Sequence, residues 1–139
     1  EIWDVCNETL IHTLEDEEDL LKTCFARNGS TLITSRLDCS LQLWDVMTGA
    51  PLHVLQGHTD DILEISCAQC DNLFATTSID GAVCVWDALR ETCVCTLDIG
   101  HDDEIGYRPS INSIIWAPDS LHIVALVSEG PLRCFDITS

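Results

Sequence analysis

A Trp-Asp dipeptide recurs in this chain at Trp3-Asp4, Trp44-Asp45 and Trp86-Asp87, at almost equal intervals. A degenerate copy, Phe135-Asp136, follows after a longer one. Self-similarity at a nearly fixed period of this length describes an array of like units, each burying its apolar face only against its neighbours. Between the dipeptides lie short apolar runs separated by turn residues such as Asn28-Gly29 and Thr48-Gly49, in which Gly and Asn accept φ > 0 at low cost. The run Ala82-Val83-Cys84-Val85-Trp86 is apolar on both alternating faces, so it must be a strand covered on both sides. The outer run Glu91–Leu97 mixes polar and apolar residues, as an exposed edge strand does.

Two further features repeat. Gly57-His58 opens the unit that Trp86-Asp87 closes, and Gly100-His101 opens a later one. Asp38 stands at the same offset before Trp44 as Asp80 does before Trp86. On these Gly-His and Trp-Asp pairs, with periods of roughly 40–45 residues, the chain resembles the WD-repeat β-propeller family over nearly its whole length. The resemblance implies an all-β fold of four-stranded antiparallel blades, present here as an incomplete arc of about three and a half blades.

Residues 1–14 then read as the end of a preceding blade, with a third strand over Glu1–Asp4 and an outer strand over Thr9–Leu14. The blade at 20–55 is expected to hold strands near Leu21–Ala26, Thr31–Ser35, Ser40–Trp44 and Pro51–Leu55. The blade at 57–97 is the most regular, with strands near Ile62–Cys67, Leu73–Ser78, Ala82–Trp86 and Cys93–Leu97. The blade at 100–139 departs from the pattern and lacks its outer strand. Its interval from His101 to Phe135 is longer than the one from His58 to Trp86, and the excess lies in the loop Asp102–Ser110. Strands at Ile111–Trp116, Ile123–Val127 and Leu132–Phe135 follow. No initiator Met, leader or lipidation site is visible, and the chain opens inside a strand, so it is expected to be a piece of a longer protein. An open arc leaves apolar faces in water, so the remaining blades of the same polypeptide, or a complementary chain, are expected partners.

Composition limits the function. No apolar run approaches the ~18–20 residues that cross a membrane. The net charge of −18, from 24 acidic and 6 basic residues, disfavours nucleic acid and anionic membranes and favours a basic protein partner or simple solubility. Nine cysteines, an odd number partly set in apolar strand patterns, suggest a reducing compartment: cytoplasm, with the nucleus as the alternative. Two sequons, Asn7-Glu8-Thr9 and Asn28-Gly29-Ser30, argue the other way but are frequent by chance.

His58, Asp80, Trp86 and a hydroxyl of Thr76 or Ser78 imitate a catalytic set by residue type. The family resemblance implies a buried structural relay instead, because an enclosed imidazole and carboxylate each need a partner. Thr76 and Ser78 share a strand face, so the sequence leaves the choice between them open. The first full repeat keeps Thr34, Asp38 and Trp44 but has Asp16 or Glu17 in place of His; the third has Glu129 for Asp and Phe135 for Trp. Those two blades are therefore expected to rely mostly on apolar packing. Cys67-Ala-Gln-Cys70 and Cys93-Val-Cys95 have spacings that zinc uses. Cys67, however, aligns with Phe25 and Trp116 at a core position, at the opposite end of the hairpins from Cys93 and Cys95, which argues for isolated thiols. No cofactor, metal or catalytic residue is expected, and the chain is not expected to be an enzyme.

The acidic loops remain. In the family the loop before the first strand and the turn between the second and third strands open on one face of the disc. That mapping gathers Glu15, Asp16, Glu17, Glu18, Asp19, Asp60, Asp61, Asp102, Asp103 and Glu104, with Tyr107 and Arg108 as contact residues of the enlarged loop. Such an array would steer a basic partner. The reading is a non-catalytic protein-interaction scaffold. The alternative is a regulatory propeller of a larger signalling protein, such as a nucleotide-binding ATPase, whose catalytic domain lies outside this segment.

Overall fold

The computed structural model describes residues 1–69, 72–98, 111–128 and 132–137. They form thirteen β-strands, and no helix is present among the described residues. β1 (Ile2–Asp4) and β2 (Thr9–His12) make a two-stranded sheet. β3 (Leu20–Phe25), β4 (Thr31–Arg36), β5 (Leu41–Asp45) and β6 (Pro51–Leu55) make a four-stranded meander, called here blade one. β7 (Ile62–Cys67), β8 (Leu73–Ser78), β9 (Ala82–Asp87) and β10 (Thr92–Asp98) repeat it as blade two. β11 (Ile111–Trp116), β12 (His122–Val127) and β13 (Arg133–Asp136) form a three-stranded sheet, blade three. Every pairing is antiparallel.

The turns follow from residue type. Gly29, Gly49 and Gly81 take positive φ in the hairpin turns. Asp4, Asp45 and Asp87, the Asp of each Trp-Asp pair, accept backbone N–H bonds from the residues two and three positions on. The recurring Asp therefore closes the turn that leaves its strand.

Period-two alternation decides which blade each side chain meets. Leu32 and Trp44 of blade one face back to Ile2 of the first sheet. Ile33, Leu41 and Leu43 face forward, into a core with Ile62, Ile65, Phe74, Cys84 and Trp86. In blade two the alternate residues Ala75, Val83 and Val85 pack on Ile111, Ile114, Trp116, Ile123, Ala125 and Val127. Cores thus lie between sheets rather than within them. The ring of Phe74 stacks on Trp86 at 6.2 Å and 13°, a geometry that adds about 0.5–1.5 kcal/mol to area burial.

Where a neighbouring sheet has no strand to offer, apolar residues stay wet. Phe25, Cys67 and Trp116 do occupy one register, opposite Leu32, Phe74 and Ile123. Trp116 is buried, yet Phe25 is 51% exposed. The expectation of a core position at Phe25 is corrected: β3 there faces the two-stranded sheet of β1 and β2, which has no strand to cover it. At the other end of the arc Ile115, Leu126 and Leu132 are likewise exposed.

Candidate functional site

Blade two carries the His58 set on its entry loop, two strands and the turn between them. The loop before β7 holds His58, β8 holds Thr76, the β8–β9 turn holds Asp80 and β9 holds Trp86. His58 Nδ1 lies 2.9 Å from Asp80 Oδ2 and its Nε2 2.7 Å from Thr76 Oγ1. Trp86 Nε1–H donates to the same hydroxyl at 2.8 Å. One proton arrangement satisfies every atom: Trp86 donates to Thr76, Thr76 O–H donates to Nε2, and Nδ1–H donates to Asp80. Asp80 also accepts from the backbone N–H groups of Thr59 and Ala82. Burial alone would raise its pKa, but these backbone bonds and His58 outweigh it and hold the carboxyl below the ordinary range.

Of the two candidate hydroxyls, Thr76 joins His58 and Trp86. Ser78 Oγ instead donates to the carbonyl of Asp60 and accepts the N–H of Asp80, locking the loop to the turn. Gly57 has a separate reason to lack a side chain: a Cβ there would sit 2.8 Å from the edge of the Trp86 ring. His58 and Thr76 are both buried. An enclosed set with every polar atom engaged offers no face to a substrate, so its geometry suits holding loop, turn and strands together.

Blade one solves the same problem with different chemistry. Trp44 Nε1–H donates to Thr34 Oγ1 at 2.9 Å, as Trp86 does to Thr76. The position of His58 is taken, one repeat earlier, by Asp16. Its carboxylate accepts from Arg36 Nε at 2.9 Å and forms an ion pair with Nη2 at 2.8 Å. Nη2 also donates to Gln42 Oε1, and Gln42 Nε2 donates to the carbonyls of Leu43 and His53. The side chain of Asp16 is only 2% exposed and that of Arg36 16%. The expectation that blade one relies mostly on apolar packing is corrected. An arginine in a strand of a chain with only six cations was the available signal.

Blade three meets blade two through polar contacts of its own. β11 stands at the edge of its sheet, and Ile114 N–H donates to Glu64 Oε2 at 2.8 Å. Trp116 Nε1–H donates to the carbonyl of Ser66. Of the two substitutions in this repeat, Glu129 lies outside the described residues, and Phe135 is partly buried against the core between blades two and three.

Of the loop acids, Glu15, Glu17, Glu18, Asp19 and Asp60 are exposed and Asp61 is half-buried. Asp16 is withdrawn from that surface by its bond to Arg36. Asp19 and Asp61 hold equivalent places, each carbonyl accepting the N–H of the residue that begins the next turn, Leu37 and Ile79. Burial pushes the Cys39 thiol up, and the carboxylates of Asp61, Asp60, Asp38 and Asp80 push it further, so acids of both blades act electrostatically on the β4–β5 turn. Asp102, Asp103, Glu104, Tyr107 and Arg108 lie outside the described residues. So does Cys70. Among the described residues no group of three His, Cys, Asp or Glu side chains is placed to hold a metal, and no helix is long and apolar enough to cross a membrane.

Sheets of antiparallel strands packed face to face, the two four-stranded ones each pinned by a buried loop-to-strand bond, define an open arc of a β-propeller. The model of the WD domain, G-beta repeat, matches residues 8–45 and 49–87, more than half of the chain, which therefore belongs to that family. The COMPASS component SWD3 of Saccharomyces cerevisiae is 24% identical over 131 residues, 91% of this chain and 41% of that protein. A guanine nucleotide-binding protein subunit beta of Oryza sativa subsp. indica is 31% identical over 112 residues, 76% of this chain and 28% of that protein. Among solved structures, the β-propeller domain of Myceliophteria thermophila Cps50 (Swd1) superposes with a TM-score of 0.79 at 20% identity, covering 94% of this chain and 39% of that domain. The chain spans well under half the length of the curated relatives it matches.

Proposed function

We propose that this chain is part of a larger WD-repeat propeller acting as a non-catalytic protein-interaction scaffold, and that its acidic loop face receives a basic protein segment. The scaffold reading is supported by relatives whose names describe a component and a subunit of assemblies. It is also supported by the enclosure of the His58 set, which leaves those polar groups to stability rather than turnover.

The observation that carries the acidic face is that Asp60, on the entry loop of blade two, and Asp38, on the β4–β5 turn of blade one, are both exposed, and both push the Cys39 thiol up. Beside them stand the exposed Glu17, Glu18 and Asp19. No Lys or Arg ion pair neutralises these three, Asp60 or Asp61 among the described contacts, and Arg36 is engaged with Asp16. A surplus of negative charge on neighbouring loops attracts a Lys- or Arg-rich segment and speeds its encounter.

Salt and charge reversal test this. Affinity for a Lys/Arg-rich peptide should fall roughly tenfold or more between about 0.05 M and about 0.5 M salt, as the Debye length shrinks from ~13 to ~4 Å. Lysine at Glu17, Glu18 and Asp60 together should abolish the binding without lowering the melting temperature. Affinity indifferent to both would overturn the acidic-face reading.

A further inference from the structure

A different contact lies on the seam between blades one and two. β3 and β7 are the first strands of their sheets and stand at the sheet edges, packed against each other across the seam. Each contributes one cysteine there. Cys24 and Cys67 pack on the edge of the core formed by Ile33, Ile65 and Phe74, with their Sγ atoms 2.7 Å apart. That is closer than two unbonded sulfurs normally approach. They come from different registers, Cys24 opposite Ile33 and Cys67 opposite Phe74, so the two side chains point at each other from facing sheets.

We propose that Cys24 and Cys67 are a reversible inter-blade redox pair, closing to a disulfide that latches blade one to blade two. The oxidant is a low-molecular-weight disulfide of the glutathione class. The Cys24 thiolate attacks one sulfur of that disulfide, breaking its S–S bond and releasing one small thiol, which takes up a proton. Cys67 then gives up its proton and attacks the Cys24 sulfur, forming the protein disulfide and expelling the second small thiol. The protein loses two electrons and two protons, and both small thiols leave carrying them. A small dithiol reverses the sequence.

The order of attack follows from the surroundings. The hydrogen bond shared with Cys67 draws the Cys24 thiol down, whereas that bond and burial hold Cys67 up. Cys24 is thus the attacking sulfur and Cys67 the resolving one. Burial pushes Cys84 up to about 12 and raises Cys95, and Cys39 is raised as well, so these thiols compete poorly at neutral pH. Closure joins two strands far apart in sequence, which restricts the unfolded chain and ties the two edge strands in the folded one.

The full chain is treated with oxidised glutathione at neutral pH, its remaining thiols are alkylated, and the digest is mapped by mass spectrometry. Trypsin cuts after Lys22 and Arg27, so Cys24 falls in a short peptide, and fragmentation of its cross-linked product reports the partner. The expected product links Cys24 to Cys67 and raises the melting temperature over that of the reduced chain. Cys67→Ser should instead leave glutathione on Cys24, with no rise. Linkage of Cys24 to another cysteine, or both thiols still open to alkylation after the treatment, would overturn the proposal. The wild-type map decides the question even if a variant fails to fold.

Discussion

Blades one and two place different groups at positions one repeat apart: Asp16 and His58, Arg36 and Ser78, Gln42 and Cys84. The Thr–Trp bond is common to both, Thr34 with Trp44 and Thr76 with Trp86. Blade two ties its entry loop down with an imidazole held by Asp80. Blade one uses a buried carboxylate instead, and its partner Arg36 reaches across from the end of β4. Asp38, the counterpart of Asp80, is released to cap its own turn at Ser40. The slot therefore requires that loop and strand be bonded and leaves the chemistry free. Changing one member, however, obliges its neighbours to change with it.

The largest effect should come from separating the ion pair. Arg36→Met leaves the Asp16 carboxylate enclosed without its cation, with the Glu18 backbone N–H as its remaining partner, and should cost about 3–5 kcal/mol. The double variant Asp16→Leu with Arg36→Met should recover most of that loss. If the single variant melts within a degree or two of wild type, Asp16 is solvated and the two blades are not alternative solutions of one problem. In blade two, His58→Ala removes one hydrogen-bond partner from each of Thr76 and Asp80 and opens a small void, at about 2–3 kcal/mol. Chemical denaturation measures both, and His58→Ala should leave basic-peptide affinity unchanged once the protein is folded.

A third substitution tests what the blades share. Trp44→Phe and Trp86→Phe each remove a buried N–H donor and part of a ring, and both should cost about 1–2 kcal/mol. Similar losses would mean that the Thr–Trp bond is independent of its surroundings. A clearly larger loss at Trp86 would mean that Thr76 depends on it to orient the hydroxyl toward His58.

These differences divide what the sequence made legible from what it did not. Strand positions and facing residues follow from local alternation and turn chemistry, so the strand expected at Ala82–Trp86 is observed one residue longer, at Ala82–Asp87. The His58 set was visible because its dipeptides are distinctive. Its hydroxyl was not, since Thr76 and Ser78 share a face and only the position of the Trp86 indole separates them. The Arg36 network was hidden because an acid in place of the loop histidine carries no distinctive dipeptide, and its partner stands twenty residues away at the end of β4. Cys24 with Cys67, and the exposure of Phe25, depend on how one sheet meets the next. No pattern within a single repeat contains that information.

The smallest predicted effect separates Asp80 from Asp38 by pH. Both carboxyls are held below the ordinary range: Asp38 chiefly by its bond to Ser40, Asp80 by backbone N–H groups and His58 against an opposing burial effect. A depressed carboxyl contributes stability that is fully present above the unfolded value of about 3.9 and is lost as pH falls through the folded value. The acid limb of a melting-temperature profile should therefore steepen below about pH 4. Asp80→Asn should flatten that limb, because the amide does not titrate, while lowering stability near neutral pH, because its NH2 group meets donors that the carboxylate accepted. Asp38→Asn should change the profile less, since Asp38 is exposed and its hydrogen bonds among the described residues are to Ser40 of its own turn. If the two variants flatten the limb equally, Asp80 draws nothing extra from His58, and the polar difference between the blades lies entirely in Asp16 and Arg36.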